Sequence, residues 1–115
     1  MTQNADEIKM ERYVWRATIK NGMRAEYIRR HNEGFWLEMT DALNAAGIHN
    51  YSIWIYDNEL FGYFECSEGV QNALKKQAES ETVKKWNTYM EDILARKIDP
   101  VTGDLAKMTE IFFHK

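Results

Sequence analysis

Tyr27, His31 and Phe35 recur at intervals of four residues within EYIRRHNEGFW, residues 26–36. On a helix, residues four apart stand one above the other, so the spacing predicts three rings on one stripe. Histidine, with an ordinary pKa near ~6.5, can take up or release a proton at neutral pH, and between two aromatic rings it could do so on a neutral organic substrate. The same stripe could equally be packed core, with His31 a boundary histidine satisfied by a hydrogen bond. Spacing alone leaves both readings open. Helical phase narrows the geometry. At about 100° per residue, Ile28, Phe35, Met39, Ala42 and Ala46 fall within about 40° of one direction, with Leu43 and Trp36 on its flank. His31 and Tyr27 fall about 60° and 100° to the other side. That is the shoulder of the helix, facing a cleft.

The remaining reactive residue types carry less. Histidines at 31, 49 and 114 form no i, i+4 pair and no cluster with Cys66, so no metal is assigned. His49 is read as making a structural hydrogen bond and His114 as solvated. Cys66 stands beside Ser67 with no base near it in sequence, and reads as a small buried hydrophobe. Arg29 and Arg30 are expected to face solvent or a partner subunit, and Met39 and Met90 to be helix core.

These residues need elements to position them. RYVWRATI, residues 12–19, alternates and is rich in β-branched and aromatic residues, which predicts a strand ended by Lys20-Asn21-Gly22. From Met23 to Ala46 the period becomes helical, with Gly47 where a left-handed cap is wanted. YSIWIYD and ELFGYFE, residues 51–57 and 59–65, meet at Asp57-Asn58 as a hairpin. Residues 69–95 read as a helix with a break at Glu79 to Glu81. KIDPVTGD is a loop, and LAKMTEIFFH returns to alternation as a last strand. The order βαββαβ predicts an α+β, ferredoxin-like fold: an antiparallel sheet with both helices on one face.

At 115 residues the chain is one domain, here residues 12–115 after a polar tail over 1–11. The balance of 15 Lys+Arg against 18 Asp+Glu, without runs of one sign, advertises no nucleic-acid or membrane surface. A lone cysteine and a polar N-terminus predict a cytoplasmic protein. Four Trp, six Tyr and five Phe exceed what a core this small needs. Tyr13, Trp15 and Ala17 share one face of the first strand, with Arg12, Val14, Arg16 and Thr18 on the other. The next strand sets Tyr51, Ile53 and Ile55 against Ser52, Trp54 and Tyr56. Large apolar groups on both faces leave one of them uncovered, a patch of roughly several hundred Å². A second copy is the simplest cover, giving a homodimer with two sheets face to face as a dimeric α/β barrel. Trp15, Trp54 and Tyr56 then belong either to that interface or to a pocket.

EYIRRHNEGFWLEM, then GIHNYSIW, then KKWNTYM, in one chain of this length, resemble the L-rhamnose mutarotase family from about Arg12 to Phe113. The Tyr-x-x-x-His of the first helix and the Gly-x-His-Asn-Tyr entering the second strand are the most specific elements. The resemblance implies that His31 is the catalytic proton donor and that Tyr27 and Tyr51 contact the sugar. It also implies a substrate-contacting pair in the second helix, two tryptophans in the family and Trp86-Asn87 here. Asn87 could donate and accept hydrogen bonds where a ring is missing. Glu33 and Leu37 replace family prolines, a matter of helix geometry. The implied reaction exchanges the α and β anomers of L-rhamnose or a related 6-deoxy sugar, L-fucose next. Ring opening needs one acid and one base and no cofactor. Rings with polar tips suit a monosaccharide's apolar face and its hydroxyls. Two other readings remain: a monooxygenase on the same dimeric barrel, by fold analogy alone, and a sugar-binding module without catalysis.

Overall fold

Alternation in ERYVWRATI makes β1, Glu11–Ile19, in which Tyr13, Trp15, Ala17 and Ile19 are buried and the residues between them are half-buried. The computed structural model describes residues 10–95 and 106–115. The other elements are α1 (Arg24–Asn32), α2 (Leu37–Ala45), β2 (Ile48–Tyr56), β3 (Glu59–Cys66), α3 (Val70–Glu79), α4 (Glu81–Met90), β4 (Leu94–Ala95) and β5 (Ala106–Lys107). The sheet runs β2-β3-β1-β4, and every described pairing is antiparallel. β4 and β5 lie end to end along β1, opposite Thr18–Ile19 and Trp15–Arg16. The architecture is α+β, with the buried side of the helices packed on one sheet face in a single core.

The hairpin forms at Asp57-Asn58, closing on the Tyr56–Glu59 pair, with Asp57 at φ 52. That left-handed conformation is one that Asp tolerates better than most residues. β2 begins three residues earlier than the alternation predicts. Its pairing with β3 shifts between His49 and Ser52, where Asn50 takes φ 50. A bulge of this kind rephases a strand. Ile48 and Tyr51, three apart, therefore both turn toward the helices, which strict alternation forbids.

The helix expected over 23–46 is two helices. α1 ends at Asn32 and Trp36 is extended (ψ 132) ahead of α2. Gly34 lies in the break, where the helical backbone is least favoured. Apolar spacing continues through the break, so periodicity did not report it. The new phase overturns the expected core direction: Ile28 and Phe35 are each 38% exposed, whereas Tyr27 is 7% exposed. Met39 and Ala46 are buried as expected. The break near Glu79 falls at Ser80, whose hydroxyl accepts from the Val83 N–H (3.2 Å) and caps α4. α4 stops at Met90, short of residue 95.

The strand expected over LAKMTEIFFH shrinks to Ala106–Lys107. One more backbone bond, Met108 N–H to the Val14 carbonyl (2.9 Å), extends it. Beyond that, side chains replace the ladder: Arg12 grips Glu110 with two 2.7 Å bonds and lies 3.6 Å over the Phe113 ring. The tail over 1–11 and the loop over 97–104 fall almost wholly outside the described residues.

Arg30 is the other correction, because it faces neither solvent nor a partner. It is buried, donating to the Tyr89 carbonyl (2.7 Å), to both Asp92 oxygens (3.0 and 3.2 Å) and to Glu26 (2.7 Å). A guanidinium can be buried when its donors are met by carboxylates and a carbonyl. It ties α1 to the end of α4. Arg29 is exposed and pairs with Glu26. Cys66 is buried and free, and His49 and His114 are exposed. On the far face of the sheet, Trp54 is 67% and Tyr56 74% exposed beside half-buried Val14, Phe61 and Tyr63.

Candidate active site

Between the helices and the sheet lies a cavity of about 740 Å³. α1 supplies Tyr27 and His31, the bulged β2 supplies Tyr51, and α4 supplies Trp86 with Asn87 at the more open side. The structure brings these five residues to one cavity. β1 adds Tyr13 and Trp15, and Asn32 and Gln77 add amides. Among the described residues that line it there is no Asp, Glu, Lys or Arg. A site without formal charge, walled by rings, suits a neutral ligand with an apolar face and several hydroxyls.

His31 is oriented from both sides. Its Nδ1 lies 3.0 Å from the Tyr27 carbonyl oxygen. A carbonyl can only accept, so Nδ1 carries the hydrogen and the neutral ring keeps its lone pair on Nε2. Tyr27 stands 4.4 Å from the imidazole, Trp86 meets it edge-on at 5.4 Å, and Phe35 stacks at 6.0 Å. Trp86 is itself held by Phe35 and Trp36, each 5.1 Å away. Burial pushes the His31 pKa below its ordinary value, against the smaller opposite pull of the Tyr27 carbonyl. At neutral pH the ring is an uncharged proton acceptor.

The tyrosines are kept protonated. Burial raises the Tyr27 pKa well above the ordinary phenol value, and the neighbouring Tyr51 hydroxyl adds to the rise. Tyr51 is pushed up to about 12, mainly by burial, with the hydrogen bond from Trp15 working the other way. That bond runs from the Trp15 indole N–H to the Tyr51 oxygen at 3.0 Å. Phe64 packs on Tyr51 at 5.0 Å and on Tyr13 at 5.1 Å. Among the described residues no group of three or more His, Cys, Asp and Glu could hold a metal ion, and no helix is long and apolar enough to cross a membrane.

The family model for L-rhamnose mutarotase matches residues 12–114. The chain belongs to the L-rhamnose mutarotase family. Among its relatives, the L-rhamnose mutarotase of Tolumonas auensis is 38% identical over 109 residues, covering 90% of this chain and 98% of that one. The L-rhamnose mutarotase of Rhizobium johnstonii is 37% identical over 100 residues, covering 84% and 92%. A crystal structure of an L-rhamnose mutarotase from Formosa agariphila superposes with a TM-score of 0.73 at 28% identity, covering 91% of this chain and 99% of the other. Of the three rings left between interface and pocket, Trp15 and Trp54 line the cavity and Tyr56 does not, and the wall also includes Tyr13, Asn32 and Gln77, which sequence reasoning did not select. Tyr13 was readable as sharing a strand face with Trp15, but nothing in the sequence marks it as cavity wall. Asn32 and Gln77 carry no spacing signal at all.

Proposed function

We propose that the protein is a mutarotase that exchanges the α and β anomers of L-rhamnose or a related 6-deoxy sugar, with L-fucose the nearest alternative. The observation that carries this reading is the aromatic cavity, whose described lining carries no formal charge and includes a histidine with its Nε2 lone pair available. A monosaccharide fits this chemistry: the faces of Trp86 and Tyr27 suit its apolar side, and Tyr27, Tyr51 and Asn87 suit its hydroxyls. His31 Nε2 accepts the proton of the anomeric hydroxyl. The freed electron pair makes the C1 carbonyl, the bond from C1 to the ring oxygen breaks, and that oxygen takes a proton from a donor on the opposite wall. Rotation about C1–C2 followed by the reverse steps closes the ring on the other face, and His31 then returns its proton. The donor role that the family resemblance implies is thus the second half of a cycle that begins with acceptance.

We also propose that two chains pair through the open sheet face as a homodimer, completing a dimeric barrel of ferredoxin-like subunits, and that the protein acts in the cytoplasm. The exposure of Trp54 and Tyr56 beside Phe61 and Tyr63 supports the pairing. The test of the reaction is saturation-transfer NMR of anomer exchange across a panel of deoxy sugars. The expected result is exchange of L-rhamnose well above its rate in buffer. Binding without faster exchange would leave a sugar-binding module, and neither would sink the reading.

A further inference from the structure

We propose that Trp15 is a positioning residue whose indole N–H, lying across Gly62, fixes the Tyr51 hydroxyl as the proton donor to the sugar ring oxygen. The inference rests on the mutarotase reading and adds the second proton-transfer group to it. Trp15 is on β1 and Tyr51 on β2, and β3 runs between those two strands. Direct contact across an intervening strand requires that strand to offer no side chain there. Gly62 is the residue paired with Trp15 on β3, and a Cβ built on it would overlap Cε2, Nε1 and Cζ2 of the indole. The indole therefore lies flat over the bare Cα and reaches β2.

An indole N–H is a donor only, so the Tyr51 oxygen must be the acceptor in this 3.0 Å bond. The hydroxyl's own hydrogen is then directed to some other acceptor. Among the described residues the Tyr51 hydroxyl makes no second hydrogen bond, and Tyr51 lines the cavity. The bulge after His49 turns Tyr51 to this side, and Phe64 fixes the ring. A phenolic oxygen that accepts an N–H is a better donor, because the same bond stabilises the phenolate left behind. Trp15 indeed works against the burial that raises the Tyr51 pKa. In the reaction, Tyr51 gives its proton to the ring oxygen as the bond to C1 breaks, while His31 holds the proton from the anomeric hydroxyl. On closure the ring hydroxyl returns its proton to the phenolate, and the imidazolium returns the other to the carbonyl oxygen. The cycle balances with no further reactant.

The test compares Trp15→Phe, Tyr51→Phe and the double variant by NMR anomer exchange. The Trp15→Phe variant keeps a ring and removes the N–H. It should lower kcat by about 10-fold or more, a part of the ~10²- to 10⁴-fold that a positioned proton donor supplies, with KM little changed. The double variant should be no slower than Tyr51→Phe alone, and replacing Tyr51 by 3-fluorotyrosine, a more acidic phenol, should restore part of the rate lost in Trp15→Phe. A readout that leaves Trp15 in place covers the case of a misfolded variant: the Trp15 indole ¹⁵N–H signal should be protected from solvent exchange, and lose that protection in Tyr51→Phe. A wild-type kcat in Trp15→Phe, strictly additive losses, or an indole N–H unaffected by Tyr51→Phe would overturn the inference while leaving the mutarotase reading standing. Absence of exchange by the wild-type protein overturns both.

Discussion

His31 is held neutral by burial and aimed by one backbone carbonyl, and both facts bear on pH. In the unfolded chain it titrates near ~6.5, and in the fold at a lower value. Between those values the unfolded chain binds more protons, so this contribution to stability is complete above ~6.5 and is lost as pH falls through the folded pKa. Activity should follow the same group: kcat/KM for anomer exchange should stay level below pH ~6.5 and fall only as the lowered pKa is crossed. An acid limb centred above the ordinary histidine value would contradict the assignment. The His31→Ala variant should slow exchange by about 10²-fold or more while costing little stability, because the space it vacates opens into the cavity. Strong destabilisation with near-normal exchange per folded protein would make His31 structural. Asn87, exposed at the cavity wall, offers a different test. Asn87→Trp adds stacking surface and removes an amide, and should shift the ranking of sugars by the ~1 to 3 kcal/mol that single pocket contacts carry. An unchanged ranking would mean the residue does not read the sugar. That Tyr27, His31, Tyr51, Trp86 and Asn87 share one cavity was legible because they stand in short motifs. The Trp15–Tyr51 bond was not, because it runs over a neighbouring strand's glycine, and no spacing along the chain encodes that.

The elements matter through how they aim these side chains. Ser80 divides what would be one long helix and caps the second half, which carries Trp86 and Asn87. Ser80→Ala should cost about 1 kcal/mol in denaturant unfolding, with exchange per folded molecule nearly intact, since no cavity residue is removed. Gly62→Ala is a harsher change: its methyl overlaps the indole of Trp15, and overpacking of this kind typically costs about 1 to 3 kcal/mol. It should also slow exchange, whereas Ser80→Ala should not. If the two variants lost stability and activity in the same proportion, the strand contact would have no special link to the reaction. β1, the hairpin and the break at Ser80 were readable from alternation and turn residues. The break around Gly34 was hidden because apolar spacing persists across it. The bulge in β2 was hidden because a single inserted residue leaves composition unchanged. The short last strand was overestimated because alternation in LAKMTEIFFH does not reveal that Arg12 holds the segment by its side chains instead.

At the scale of the whole molecule, one sheet face is roofed by helices and the other carries exposed Trp54 and Tyr56 with polar neighbours such as the Arg16–Glu59 pair. Light scattering should therefore report twice the 13.6 kDa of the chain, and Trp54→Glu should shift the population toward single chains by placing a charge in the paired surface. A clean monomer for the wild-type protein would remove the argument from the open face. The distribution of rings has one more effect. Trp15, Trp54 and Trp86 line the cavity, with Trp36 packed against Trp86. Protonated imidazole quenches indole emission, and Trp86 meets the His31 ring edge-on at 5.4 Å. The chain thus contains its own optical gauge of the histidine's charge. Acidification should dim the tryptophan emission with the midpoint of His31, and the His31→Ala protein should lose that step.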